Sequence, residues 1–118
     1  MQLIKQKLNY LTARHNIISS NIAMVDIPNA KSRDLKPFMS GSRQLRINRT
    51  NEKHIVLHNH HDFTIYQPES DVQKINGNNI SLENESMRLH KNNIEHQQVI
   101  GIYNKIISMF NTAARNAK

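Results

Sequence analysis

Residues 2–25 read QLIKQKLNYLTARHNIISSNIAMV, free of Pro and Gly and striped by Ile4, Leu8, Leu11, His15, Ile18, Ile22 and Val25. Steps of three and four return these positions to one helix face every seven residues, which predicts an amphipathic helix with a seam that needs a partner. The dipeptide Ile27-Pro28 ends it, because the residue before a proline is pushed out of the α region, and Asp26 marks the exit. At roughly 1.5 Å per residue such a helix runs about 35 Å, longer than a small domain can cover, so part of its packing is expected from outside the chain.

The other end repeats the pattern with Leu89, Asn93, His96, Ile100, Tyr103, Ile107, Phe110 and Ala114. Its start is signalled by the turn run Asn76-Gly77-Asn78-Asn79 and by Ser81, a helix-capping residue followed by Glu83 and Glu85 at the positive end of the helix dipole. Helix-start electrostatics accounts for those two carboxylates. Gly101 is tolerated inside the helix at a cost of about 1 kcal/mol. The two seams can pair with each other or with neighbouring copies.

The predicted fold class is mainly α: long N- and C-terminal amphipathic helices pairing in coiled-coil fashion, with an extended arm and a small irregular or β-containing middle. The segments are 1–25, 26–80 and 81–118, together one structural domain. From Pro28 to about Arg43 the residues are those of turns and loops, anchored only by Leu35 and Phe38. Short strands are expected at 44–47, 54–57 and 63–66, where β-branched and aromatic residues gather.

With 118 residues there is room for one domain and none for a large enzyme core. Sixteen Lys and Arg against nine Asp and Glu give a net charge of +7, so an acidic partner, an anionic surface or nucleic acid all come into view. The cations cluster at Lys31, Arg33, Lys36, Arg43, Arg46, Arg49 and Lys53, with only Phe38 available for base stacking, which argues against a single-strand binder. Cysteine is absent, so disulfides, thiolate metal sites and thiol nucleophiles are excluded. No apolar run is long enough to span a bilayer, and Lys5, Lys7 and Arg14 interrupt the first 25 residues, so no cleavable secretory signal is expected.

His54, His58, His60, His61 and Asp62 could in principle bind a transition metal, but nothing in their spacing fixes a geometry, and a solvated His-rich turn is expected. His15 and His96 on the seams are expected to bond across a helix interface. No phosphate-binding glycine loop and no nucleophile elbow occurs. The expectation is no catalytic residue, no cofactor, no metal, no small-molecule substrate and no nucleic-acid partner.

Three runs, Ser20-Asn21-Ile22-Ala23, Asp26-Ile27-Pro28-Asn29 and Lys31-Ser32-Arg33-Asp34, resemble the N-terminal signature of bacterial flagellar rod and hook proteins, typically Asn-Ile-Ala-Asn-x-x-Thr-Pro-Gly-Tyr. A second, separate stretch, Ile75 to Glu85 with Gly77, Asn78, Leu82 and Glu85, followed by Leu89 and Asn92, is similar to a segment of the family's proximal-rod member. Met24, Ile27, Asn29 and Ala30 depart from the typical Asn, Thr, Gly and aromatic residue. Of these Asn29 is the mildest, since Asn tolerates positive φ.

The resemblance implies a structural subunit of the flagellar basal-body rod, exported without signal cleavage through the flagellar type III apparatus and set at the proximal end of the periplasm-spanning rod. It further implies terminal helices that order as they assemble, an arm touching adjacent subunits, and as partners self-copies, other rod subunits, the adaptor FliE and the export apparatus. On that basis Leu8, Leu11, Ile18, Ile22 and Val25, with Ile100, Tyr103, Ile107 and Phe110, are the expected subunit-packing seam that carries torque. Asn21 is expected either to bond backbone across an interface or to stand exposed. The competing expectation is a small basic helical adaptor or nucleic-acid-binding protein, whose affinity would fall steeply with salt; another axial subunit is a third.

Overall fold

The computed structural model describes residues 1–38, 51, 63–70 and 72–117. Two helices dominate it: α1 spans Gln2–Ala23 and α2 spans Leu82–Asn116, with a two-stranded antiparallel ladder of β1 (Asp34–Leu35) and β2 (Ile65–Tyr66) between them. In its register Asp34 faces Tyr66 and Leu35 faces Ile65. The expected strands at 44–47 and 54–57, and the histidine cluster, lie outside the described residues. At 63–66 the strand is shorter than expected, and its partner is a stretch the sequence presents as an arm.

α1 closes at Ala23, two residues before the expected end. Past that point the amide of Met24 reaches both Ser20 O and Asn21 O, and Val25 and Ile27 donate to Ile22 O and Met24 O, three residues back. The chain has tightened into turns before Pro28 forces it out of the helical region. α2 begins where Ser81 predicts, with the Ser81 side chain accepting from the Asn84 amide.

The helices run antiparallel. Asn21 meets Glu85, Leu11 O meets Asn92 and Lys7 meets Glu95, so α1 descends as α2 rises. Their lengths differ, 22 residues against 35, and α1 is used up near Val99. Residues 101–116 extend beyond it by about 24 Å at roughly 1.5 Å each.

The core is small and sits midway along α1, where Tyr10, Leu11 and Leu35 are buried against Ala13, Ile17, Phe38, Phe63 and Val99. The Tyr10 ring lies between Phe38 and Phe63, with centroids at 5.6 and 5.5 Å, in the tilted and edge-on geometries aromatic pairs favour. Lys7 Nζ stands 5.3 Å from both the Tyr10 and the Phe38 ring centroids and pairs with Glu95 at 3.3 Å. Ile18 and Ile80 are each fully buried.

The covered face of α1 therefore passes through Tyr10, Leu11, Ile18 and Asn21, with Arg14 and Ile17 half-buried beside them. His15, expected on the seam, is exposed, and Arg14 takes the inward side. On α2 the inward positions are Glu85, Asn92 and the half-buried Leu89, His96 and Val99, whereas Asn93 points out. Since 3.6 residues make a turn, a one-residue shift moves a side chain by about 100° and exchanges the two asparagines.

Candidate functional site

Two places stand out: a buried polar joint where the turns meet the helix ends, and a helix face left bare at the opposite end.

The joint is built from polar residues that the chain brings together from four segments. Asn21, at the last turn of α1, donates from Nδ2 to Arg33 O at 2.6 Å, Glu85 Oε2 at 3.1 Å and Ser32 Oγ at 3.3 Å, and its Oδ1 accepts from the Arg33 amide. Ser32 donates its hydroxyl to Glu85 Oε1 at 2.7 Å, and its amide goes to Asn79 Oδ1 at 2.8 Å. Arg88, one turn along α2, donates to Glu85 Oε1 at 3.0 Å. Glu85 is 1% exposed, so this carboxylate is held by a hydroxyl, an amide and a guanidinium in place of water. Helix-start electrostatics does not account for it. Glu83, which faces solvent, fits that simpler role.

Asn78 performs a second task beside it. Its Nδ2 donates to the carbonyls of Met24, Val25 and Ile27 at 2.8–3.0 Å, gathering the turns just past the end of α1, while its Oδ1 accepts from the Ile80 amide at 2.7 Å. Lys74 Nζ adds a bond to Val25 O. The turn preceding it is paired to the helix exit by Asn29 N to Asn76 O and Asn79 N to Ala30 O. Asn29 has φ of 60° and Gly77 φ of 80°, the left-handed conformations that Asn and Gly adopt at least cost. A Cβ on Gly77 would displace the end of the Asn29 side chain, but it is the positive φ that calls for glycine there.

Asp34 locks the start of β1 to α1. Arg14 donates from Nε to Oδ1 at 3.0 Å and from Nη2 to Oδ2 at 3.2 Å, a two-pronged pair. Burial pushes the Arg14 guanidinium pKa down, but the hydrogen bond and charge of Asp34 outweigh it and the net direction is up. Burial raises the Tyr10 phenol, with Arg14 opposing and Asp34 and Glu95 reinforcing. Asn92, 1% exposed, donates to Leu11 O at 3.0 Å, while its Oδ1 is buried without a hydrogen-bond partner among the described residues.

Of the motif positions, Asn21, Asp34, Gly77, Asn78, Glu85 and Asn92 thus hold the helices and turns together; Ser20, Ile22 and Leu89 are half-buried near them. Ala23, Asp26, Pro28, Arg33 and Leu82 present their side chains to solvent. Ser32, Asn79, Arg88, Arg14 and Tyr10 belong to this framework although spacing did not single them out. Tyr10 had a signal, since Tyr10, Arg14, Ile17 and Asn21 form a second three-and-four stripe beside the chosen one.

The seam positions divide by helix. On α1, Leu11 and Ile18 are buried and Leu8, Ile22 and Val25 half-buried. On α2, Ile100, Tyr103, Ile107 and Phe110 are exposed, Phe110 by 71%. They continue the face that α1 covers lower down, with Ile102 and Met109 exposed along its flank. Among the described residues no three of His, Asp and Glu are grouped to hold a metal, and no helix is long and apolar enough to cross a membrane.

No protein-family model matches the chain. It is similar to the flagellar basal body rod protein FlgB of Aquifex aeolicus (strain VF5), 27% identical over 97 residues that cover 82% of this chain and 77% of that protein.

Proposed function

We propose that the chain is a structural subunit of a bacterial flagellar basal-body rod, at the proximal end, and that it acts by packing and not by catalysis. Similarity to a rod protein over four-fifths of the chain supports this, and so does the meeting of both motif stretches in one joint. The observation that carries the reading is the bare apolar face of α2 from Ile100 to Phe110. A monomer gains nothing from exposing it, whereas a subunit that buries it against its neighbours gains on the order of 1.5–3 kcal/mol for each large apolar side chain covered.

Segments 1–25, 26–80 and 81–118 work here as one structural domain, with the joint at 20–34 and 75–92 fixing the angle of the helices. The seam of Leu8, Leu11, Ile18, Ile22 and Val25 with Ile100, Tyr103, Ile107 and Phe110 is shared: its α1 members close the hairpin, and its α2 members pass load to other subunits. Self-copies, other rod subunits and an adaptor of the FliE kind are the partners, and delivery is through the flagellar type III apparatus without signal cleavage into the rod that crosses the periplasm.

Deleting the gene in its own cell and isolating basal bodies tests this. The expected outcome is non-motile cells without rods, restored by the wild-type chain but not by Phe110→Asp, which should be made and folded yet missing from basal bodies. Normal swimming by the deletion strain sinks the proposal.

A further inference from the structure

The sequence holds one Asn-Gly dipeptide, Asn76-Gly77, and it lies in the turn that reaches the exit of α1. An asparagine followed by glycine is chemically labile, because the next backbone nitrogen can close a five-membered ring on the side chain and glycine has no Cβ to crowd the closure. Gly77 N gives up its proton and bonds to Asn76 Cγ, the Cγ–Nδ2 bond breaks, and the side-chain nitrogen leaves with that proton as ammonia. Water then opens the succinimide at one of its two carbonyls, which leaves aspartate or isoaspartate at position 76. Water is the sole co-reactant, and Asn76 is exposed to it.

In the folded chain each group that must move is held. Gly77 N donates to Lys74 O at 2.9 Å, so the proton that ring closure must remove is engaged by a carbonyl. Asn76 O accepts from Asn29 N at 3.0 Å, and Lys31 Nζ grips Gly77 O at 2.8 Å, which fixes the dipeptide against the segment that follows α1. Asn76 Oδ1 accepts from the Asn78 amide at 3.1 Å. Taken alone, that last bond would favour attack by drawing charge onto the oxygen, as an oxyanion donor does. It has no effect while the attacking nitrogen is tied. Two further bonds keep the turn docked: Asn78 Nδ2 holds the carbonyls of Met24, Val25 and Ile27, and Lys74 Nζ holds Val25 O.

We propose that Asn76 is a deamidation site, closed while its turn is docked on the exit of α1 and opened when the turn lifts away. Isoaspartate carries the main chain through Cβ and Cγ and so lengthens it by one atom. The bond from Asn29 N and the reach of Asn78 to its three carbonyls then cannot be met together. The joint protects the dipeptide, and loss of the dipeptide undoes the joint, so the modification marks chains that have been open.

Full-length protein is held in mildly alkaline buffer with and without guanidinium chloride at one pH, and peptide mass spectrometry follows position 76. Modification in buffer should be slower than in denaturant by about tenfold or more, the ratio set by how rarely the turn opens. Asn78→Ala, which frees the three carbonyls and leaves the dipeptide intact, should modify several-fold faster than wild type in buffer, with circular dichroism matching the wild type to show that it is folded. Lys74→Met, which removes one bond to the α1 exit, gives the same reading should Asn78→Ala fail to fold. No modification at position 76 in denaturant would overturn the site. Equal rates with and without denaturant, or folded variants that keep the wild-type rate, would overturn its protection by docking.

Discussion

Asn21 Nδ2 and Glu85 Oε2, 64 positions apart in the chain, stand 3.1 Å from each other at the joint of the two helices. The pair ties the last turn of α1 to the first turn of α2, and Ser32 and Arg88 complete the shell around the carboxylate. Replacing Glu85 with Ala would take the acceptor from the buried Ser32 hydroxyl, remove one bond from Asn21 Nδ2, which keeps Arg33 O, and release Arg88. The expected loss is about 3 kcal/mol of unfolding free energy by urea titration, and Glu85→Gln, which keeps the shape but not the charge, should lose less.

Asn78 supplies a sharper chemical test. Its Nδ2 serves three carbonyls, so Asn78→Asp replaces a donor by a second acceptor facing the same oxygens. Asn78→Ala should cost about 1–2 kcal/mol by removing the amide that gathers three carbonyls, each of which keeps one other donor (Ile27 N, Lys74 Nζ and Ala30 N), and Asn78→Asp should cost more at neutral pH despite being the closer isostere. Thermal melts of the two variants decide it, and equal losses would mean the carbonyls find water instead.

The described glycines predict opposite signs. At Gly77 a methyl group meets Asn29 and φ is 80°, so Gly77→Ala should destabilise by about 1–3 kcal/mol. At Gly101 a Cβ meets nothing within 4 Å and the backbone is helical, so Gly101→Ala should stabilise the monomer by about 0.5–1 kcal/mol. Denaturant midpoints measured side by side suffice.

Alkaline stability should report on Tyr10. Burial raises its phenol pKa above the ordinary 10.0, so the unfolded chain gives up this proton first. Above that pH the native state binds the extra proton and stability falls as pH rises; below it this group contributes no pH dependence. Urea midpoints at about pH 9 and about pH 11 should differ for the wild type and differ less for Tyr10→Phe, which keeps the ring between Phe38 and Phe63.

The helices were legible because their signals are local: a run without breakers, Pro28 at one exit, and Asn76-Gly77 with Ser81 at the other entrance. The joint was only half legible. Asn21, Asn78, Glu85 and Asn92 were marked by resemblance, yet a polar residue on a helix looks the same in sequence whether it faces water or a buried partner. Glu85 shows the difficulty: its position in the first turn offered a sufficient electrostatic explanation, and only the approach of Ser32 and Asn21 reveals another. The ladder of β1 and β2 was less visible still, since each strand has two residues and is defined by the other.

The unequal helices have a mechanical corollary. Thirteen residues separate their lengths while the joint holds one pair of ends level, so the whole mismatch is gathered at the far end, where α2 projects past α1 like a tenon. A body seated on that projection would grip a helix along its side instead of meeting it end on.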